Sequence, residues 1–306
     1  MRNTFAETML EVGQRDPKLV VMVGDISHFA LQPFAKAAPG RFYNIGILEP
    51  TMVSMSAGVA ATGLYPVTHT IAPFLIERSL EQIKLDYCYQ NLGGTLVSVG
   101  GAFDYSQLGC SHHCYNDLAL LNGLPNTEVV YPASPVEFKV LFEETYRNGK
   151  LTYFRLPGTQ HGVEFRRDQI KYAKGIKVKE GKDITLIGAG PRLKTIMNSL
   201  AALSDQRIDA EVLYLPMLKP FDIELVQESV ARTKKVIVLE EHARVGGFGD
   251  EVLRATAGRG DYKYDFIQIP DVFQRAYGHY DEHLENLGFT TENLVKKALN
   301  LCKAMN

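Results

Sequence analysis

Asn44-Ile-Gly-Ile-Leu-Glu49-Pro50-Thr-Met-Val-Ser-Met-Ser-Ala-Gly58 sets a lone carboxylate between an apolar strand-length burst and a small-residue helix that Pro50 opens at its first position, where the missing N–H costs nothing. Glu49 is thereby expected at a strand's carboxyl end. Ligand crevices of open α/β sheets lie at that end, and an acid walled by apolar residues keeps a raised pKa suited to exchanging a proton with a bound base. The same acid also fits as a first-turn residue complementing the helix dipole. On this segment alone both readings stay open.

Outward from it, apolar bursts of strand length alternate with amphipathic stretches of helix length, which predicts helices crossing over between parallel strands. Strands are expected at 19–23, 42–45, 67–71, 96–99, 129–131 and 153–156. Phe74, Ile76, Leu80, Ile83 and Tyr87 recur at helical spacing with Glu77, Arg78, Glu81 and Lys84 between them, predicting one helix buried on one side. From 157 to 182 the pattern lapses into glycines among Arg166, Arg167, Lys171, Lys174, Lys177 and Lys179. That composition predicts a solvated connector, with guidance of an acidic partner surface as the alternative. Strand bursts resume at 184–187, 212–215, 236–239 and 266–269, and a helix from 290 to 305 follows a Thr cap. The expected fold class is α/β with two domains, 1–160 with a parallel sheet and a smaller 183–306, joined by a linker at 161–182.

A chain of 306 residues accommodates two such cores. Its formal net charge of -2 gives no broad attraction to nucleic acid or an anionic membrane. The first residues carry acids among the apolar positions and do not read as a signal peptide, and no apolar run approaches the roughly 20 residues of a membrane span. Four scattered cysteines suit a reducing compartment rather than a disulfide framework. A cytoplasmic protein without nucleic-acid or membrane partners is expected.

Other residues invite chemistry. Phe74 at a strand-to-helix junction presents its ring either to a planar ligand or to the core, and Asp25 after a strand is either a site acid or a turn residue. Cys110-Ser-His112-His113-Cys114 offers four zinc-type ligands, but five residues do not wrap a tetrahedral ion, so no metal is expected on this chain. Capping of a helix near Tyr115 is the alternative for His112. Gly188-Ala-Gly190-Pro-Arg192 follows a strand, yet Leu193 replaces the third glycine of a dinucleotide fingerprint, leaving a tight turn.

Taken in order, these segments resemble the pyrimidine domain shared by transketolases, deoxyxylulose-phosphate synthases and 2-oxoacid dehydrogenase beta subunits. The resemblance is carried by Gly24-Asp25, Arg41 through Glu49, Gly58, Gly63 through Val67, Ser111-His112-His113, Asp117-Leu-Ala, Leu124-Pro-Asn126 and Val130-Tyr-Pro132. It continues through Ile184-Thr-Leu-Ile-Gly, Leu218-Lys-Pro-Phe-Asp222, Val238-Leu-Glu-Glu-His242 and Gly246-Gly247. The resemblance implies a thiamine-diphosphate pyrimidine-binding domain followed by a transketolase C-terminal-like domain. It assigns Glu49 the carboxylate that hydrogen-bonds the cofactor's aminopyrimidine and so drives loss of the thiazolium proton, and it sets Phe74 against the pyrimidine ring. Asp25 is implied near the thiazolium and the interface between subunits, His112 at a sugar hydroxyl or carbonyl oxygen, and Arg2 and Arg155 at a substrate phosphate.

The chain lacks the Gly-Asp-Gly segment and downstream Asn with which such enzymes hold the diphosphate through Mg2+ or another divalent ion. The resemblance therefore implies a separate partner protein carrying that domain and an α2β2 assembly about a twofold. Gly100 and Leu108 stand where phosphorylated-sugar transketolases carry His and Asp, which points to a weaker or differently shaped anion site. Expected activity is transfer of a two-carbon ketol unit between a ketose and an aldose. Pyruvate–aldehyde condensation of the deoxyxylulose-phosphate type, a 2-oxoacid decarboxylating role like that of the beta subunits, an inactive assembly or regulatory role, and dinucleotide binding are the alternatives.

Overall fold

The computed structural model describes residues 1–303. The end of the last helix, expected at 305, lies outside the described residues; the helix runs Thr291–Lys303 within them.

Among the described residues, twelve strands form two sheets. The first contains β1 (Leu19–Val23), β2 (Phe42–Asn44), β3 (Tyr65–Ile71), β4 (Gly94–Val99), β5 (Thr127–Val130) and β6 (Leu151–Leu156). These six run parallel, as uninterrupted apolar strands covered by helices on both faces should. The second contains β7 (Ile176–Lys179), β8 (Ile184–Gly188), β9 (Ala210–Tyr214), β11 (Lys235–Ala243) and β12 (Lys263–Ile269). Between β9 and β11 in sequence, β10 (Met217–Lys219) leaves the second half to pair antiparallel with β5, so the first sheet reads β10-β5-β6-β4-β3-β1-β2.

The solvated, irregular character expected of the 161–182 connector is corrected. Phe165 and Ile170 are buried, His161 pairs with Glu137 at 2.5 Å, and β7 pairs antiparallel with β9. Burial of two apolar side chains, each contributing roughly 2 kcal/mol, ties this basic segment down. The single helix expected over 74–87 is also corrected: the segment is π-helical at Pro73–Glu77 and Ile83–Cys88, with a short α-turn, Leu80–Gln82, between.

Two features of this topology locate a site. Strand β2 lies on one side of β1 and β3 on the other, so the chain order reverses at β1/β3 and opens a crevice at their carboxyl ends. The helix Glu49–Ala61 then returns from β2 across that end, burying Met52, Val53, Ser56 and Ala57 at helical spacing. Tyr87 fixes it from the second π-helical turn by donating its hydroxyl to Ser56 at 2.7 Å.

Candidate active site

Loops leaving β1, β2, β3 and β4 converge at this crevice. Asp25 follows β1 with a left-handed φ of 54°. It is held reciprocally by Asn44 at the end of β2: the Asp25 N–H donates to Asn44 Oδ1 at 3.0 Å, and Asn44 Nδ2 donates to Asp25 Oδ1 at 3.1 Å. Gly46 N–H shares Asn44 Oδ1 at 3.1 Å, which sets the path of the chain into Glu49.

Glu49 begins its helix, one residue earlier than expected, and is 1% exposed. A buried carboxylate needs a partner. Arg78 Nη1 donates to Glu49 Oε2 at 2.7 Å. The wholly apolar wall expected around Glu49 is thus corrected, because a guanidinium forms part of it. The same guanidinium lies 4.0 Å from the Phe74 ring centroid, a cation–π distance. The π-turn makes this possible: Arg78 N–H bonds Pro73 O, five residues back, at 3.0 Å, and the widened turn keeps Phe74 and Arg78 on one side.

His112 lies in a short 3-10 turn after β4, edge-on to Phe74 at 5.1 Å between centroids. Its Nδ1 is 3.1 Å from Ser111 Oγ. Burial, and then the positive charge of Arg78, pushes the imidazole below its ordinary pKa, which favours a neutral ring able both to donate and to accept. Helix capping falls instead to His242 from the second domain, whose Nε2 accepts the Ala119 N–H at 3.2 Å while Nδ1 faces Ala243 O at 2.7 Å. Among the described residues no group of three or more His, Cys, Asp or Glu could hold a metal ion.

Beyond His112, Tyr105 continues the row at 6.5 Å between rings, and Arg2 donates to the Tyr105 hydroxyl. Glu49, Arg78, Phe74, His112, Tyr105 and Arg2 therefore form one line of contacts along the carboxyl edge of the sheet.

Arg155 is not on that line, and its expected grip on a substrate is corrected. It is 0% exposed, with Nη1 donating to Glu241 O at 3.1 Å, Nη2 to Cys114 O at 3.0 Å, and Nε 3.4 Å from Asp117 Oδ2. Its guanidinium also lies over Tyr131. A Cβ at Gly101 would stand 2.1 Å from Arg155 Nε, so only glycine admits this packing. Arg155 instead locks the two halves together, next to Arg192 and Tyr280, which both meet the Glu241 carboxylate at 2.6 Å.

Arg78 and Tyr105 were missed from sequence. Arg78 counted as polar filling on a helical face, since nothing in a helical period signals the π-turn that carries it to Glu49.

Residues 1–161 match the family described as "Transketolase, pyrimidine binding domain", and residues 173–294 match "Transketolase, C-terminal domain". One of the subunits of apulose-4-phosphate transketolase from Phocaeicola vulgatus is 29% identical over 99% of this chain and 97% of its own length. The 1-deoxy-D-xylulose-5-phosphate synthase of Halothermothrix orenii is 33% identical over 81% of this chain but only 40% of its own. A solved split-gene transketolase, described as an inactive β4 tetramer, superposes with a TM-score of 0.89 at 30% identity, covering 99% of both chains.

Proposed function

The chain belongs to the transketolase family, and from that premise we propose that it is the pyrimidine-binding half of a split transketolase-like enzyme, transferring a two-carbon ketol unit from a ketose to an aldose. Thiamine diphosphate is the cofactor its family implies, with the diphosphate and a divalent ion held by a separate protein chain. The match to a relative named as a transketolase subunit over nearly its full length, and to a solved split-gene chain, supports that division.

The observation that carries the reading is the Glu49–Arg78–Phe74 group. A planar N–H donor already sits with its hydrogen bond on a buried carboxylate and its central carbon over an aromatic ring, 4.0 Å from the centroid. Those are the two contacts an aminopyrimidine needs, so the residues fit that ring. When bound, the cofactor supplies a nucleophilic carbon that accepts the two-carbon unit. Glu49 holds a proton position at the pyrimidine end, Phe74 orients the ring, and the Asp25–Asn44 clamp fixes the loop beside it. His112, neutral and next to Phe74, hydrogen-bonds a substrate oxygen.

Reconstitution tests this. The chain purified alone should give no ketol transfer, and the complex with its diphosphate-binding partner, thiamine diphosphate and Mg2+ should convert a ketose and an aldose. Turnover by the isolated chain would contradict the split. The match to a deoxyxylulose-phosphate synthase supports a second reading, pyruvate as donor; product formation from pyruvate but from no ketose would favour it.

A further inference from the structure

A cleft of about 410 Å³ opens at the carboxyl ends of β4 and β6, lined by Arg2, Val99, Gly100, Asp104, Tyr105 and Gly158 among others. Tyr105 joins it to His112, so it lies where the far end of a chain held at His112 would extend. Its charge is mixed. Asp104 accepts the Gly158 N–H on Oδ2 at 3.0 Å. Arg2 is attracted to Asp104 and already donates to Tyr105. Arg155, the remaining candidate for an anion clamp, is sealed away. Gly100 cannot be replaced by a basic side chain: its φ is +81°, and a Cβ would fall 2.3 Å from the Tyr105 ring.

Phosphate recognition asks for converging guanidinium or N–H donors. Here the Gly158 N–H is spent on an acid, and that acid faces the same space as Arg2. We infer that this cleft receives the distal end of the sugar as an uncharged hydroxylated chain rather than as a phosphate ester, with Asp104 as the residue that sets the choice. The inference rests on the ketol-transfer reading of the same site. Burial, then repulsion from Glu241, raises Asp104 to a pKa of about 7. In either protonation state it therefore pairs with a hydroxyl, which both donates and accepts, whereas a phosphate dianion meets repulsion whenever Asp104 is ionised.

The test compares D-xylulose with D-xylulose 5-phosphate as donor for the reconstituted complex. The expected kcat/KM for the free ketose equals or exceeds that for the ester, and Asp104→Asn, which keeps an acceptor for Gly158 N–H, moves the ratio about tenfold toward the ester. A wild-type preference of tenfold or more for the ester, or a ratio unmoved in Asp104→Asn, overturns the inference. Calorimetric titration of the same complex with D-arabinitol and D-arabinitol 5-phosphate separates this from the catalytic reading. If neither ketose is consumed, ketol transfer fails, while polyol binding at least as tight as that of its phosphate still supports the cleft's specificity and tenfold tighter phosphate binding overturns it.

Discussion

Replacing Arg78 should destabilise the protein more than replacing Glu49, although the two form one ion pair. The side chains are unequally placed, 44% exposed for Arg78 and 1% for Glu49. Arg78→Met leaves a buried carboxylate without its charge partner. Breaking a fully buried pair in this way costs roughly 3–5 kcal/mol; water entering where the half-exposed guanidinium stood should reduce that to about 2–3 kcal/mol. Glu49→Gln removes the charge but keeps an oxygen for Arg78, whose head is free to reach solvent, so its cost should be about 1 kcal/mol or less. The double variant should recover most of the Arg78→Met loss, a coupling of roughly 1 kcal/mol or more. Urea unfolding followed by far-UV circular dichroism, at one fixed protein concentration because assembly shifts the midpoint, measures all four proteins. Equal single-variant costs, or additive ones, would refute the argument that Glu49 depends on Arg78.

Arg155→Met should cost about 3–5 kcal/mol, since it strands Asp117 inside the protein; an unchanged urea midpoint with a raised KM would restore a substrate role to Arg155. Glu240 is 1% exposed, and burial lifts its pKa from 4.5 to about 7 against hydrogen bonds from Gln268 and Gly249. The folded protein then binds more protons than the unfolded chain between those values, so stability falls as pH rises through the window. Glu240→Gln should flatten that slope by up to roughly 1.4 kcal/mol per pH unit, and an unaltered pH profile of the urea midpoint would count against the assignment. Phe74→Leu should weaken thiamine diphosphate binding to the complex by about 1 kcal/mol, the worth of one aromatic stack, with calorimetric titration as the check.

Much of this architecture is visible in the sequence because buried parallel strands are written as continuous apolar runs. All the strands but β7 and β10 arise at or within a few residues of such bursts. Those two are short antiparallel edge strands: Ile176-Lys-Val-Lys179 looks like a basic connector, and Met217-Leu-Lys219 runs into Pro220. Neither has a local signal, since pairing across the chain creates them. Glu49, Phe74, Asp25 and His112 are the residues proposed for the site from segments whose order along the chain is itself informative, and the fold brings Phe74 and His112 into contact. Arg155 misled because type and position say nothing of which side of a strand end a side chain takes. Only packing against Gly101 and Asp117 shows that it points inward. Arg78 and Asp104 depend on a π-turn and on a loop closing against Gly158, contacts with no periodic signature.

In the proposed function Glu49 activates the cofactor. Quenched-flow 1H NMR of hydrogen–deuterium exchange at the thiazolium C2 position, with thiamine diphosphate bound to the reconstituted complex, reads that step without any substrate. Glu49→Gln should slow the exchange by on the order of 100- to 10,000-fold relative to wild type while the complex stays assembled, and an exchange rate within about threefold of wild type would contradict the claim.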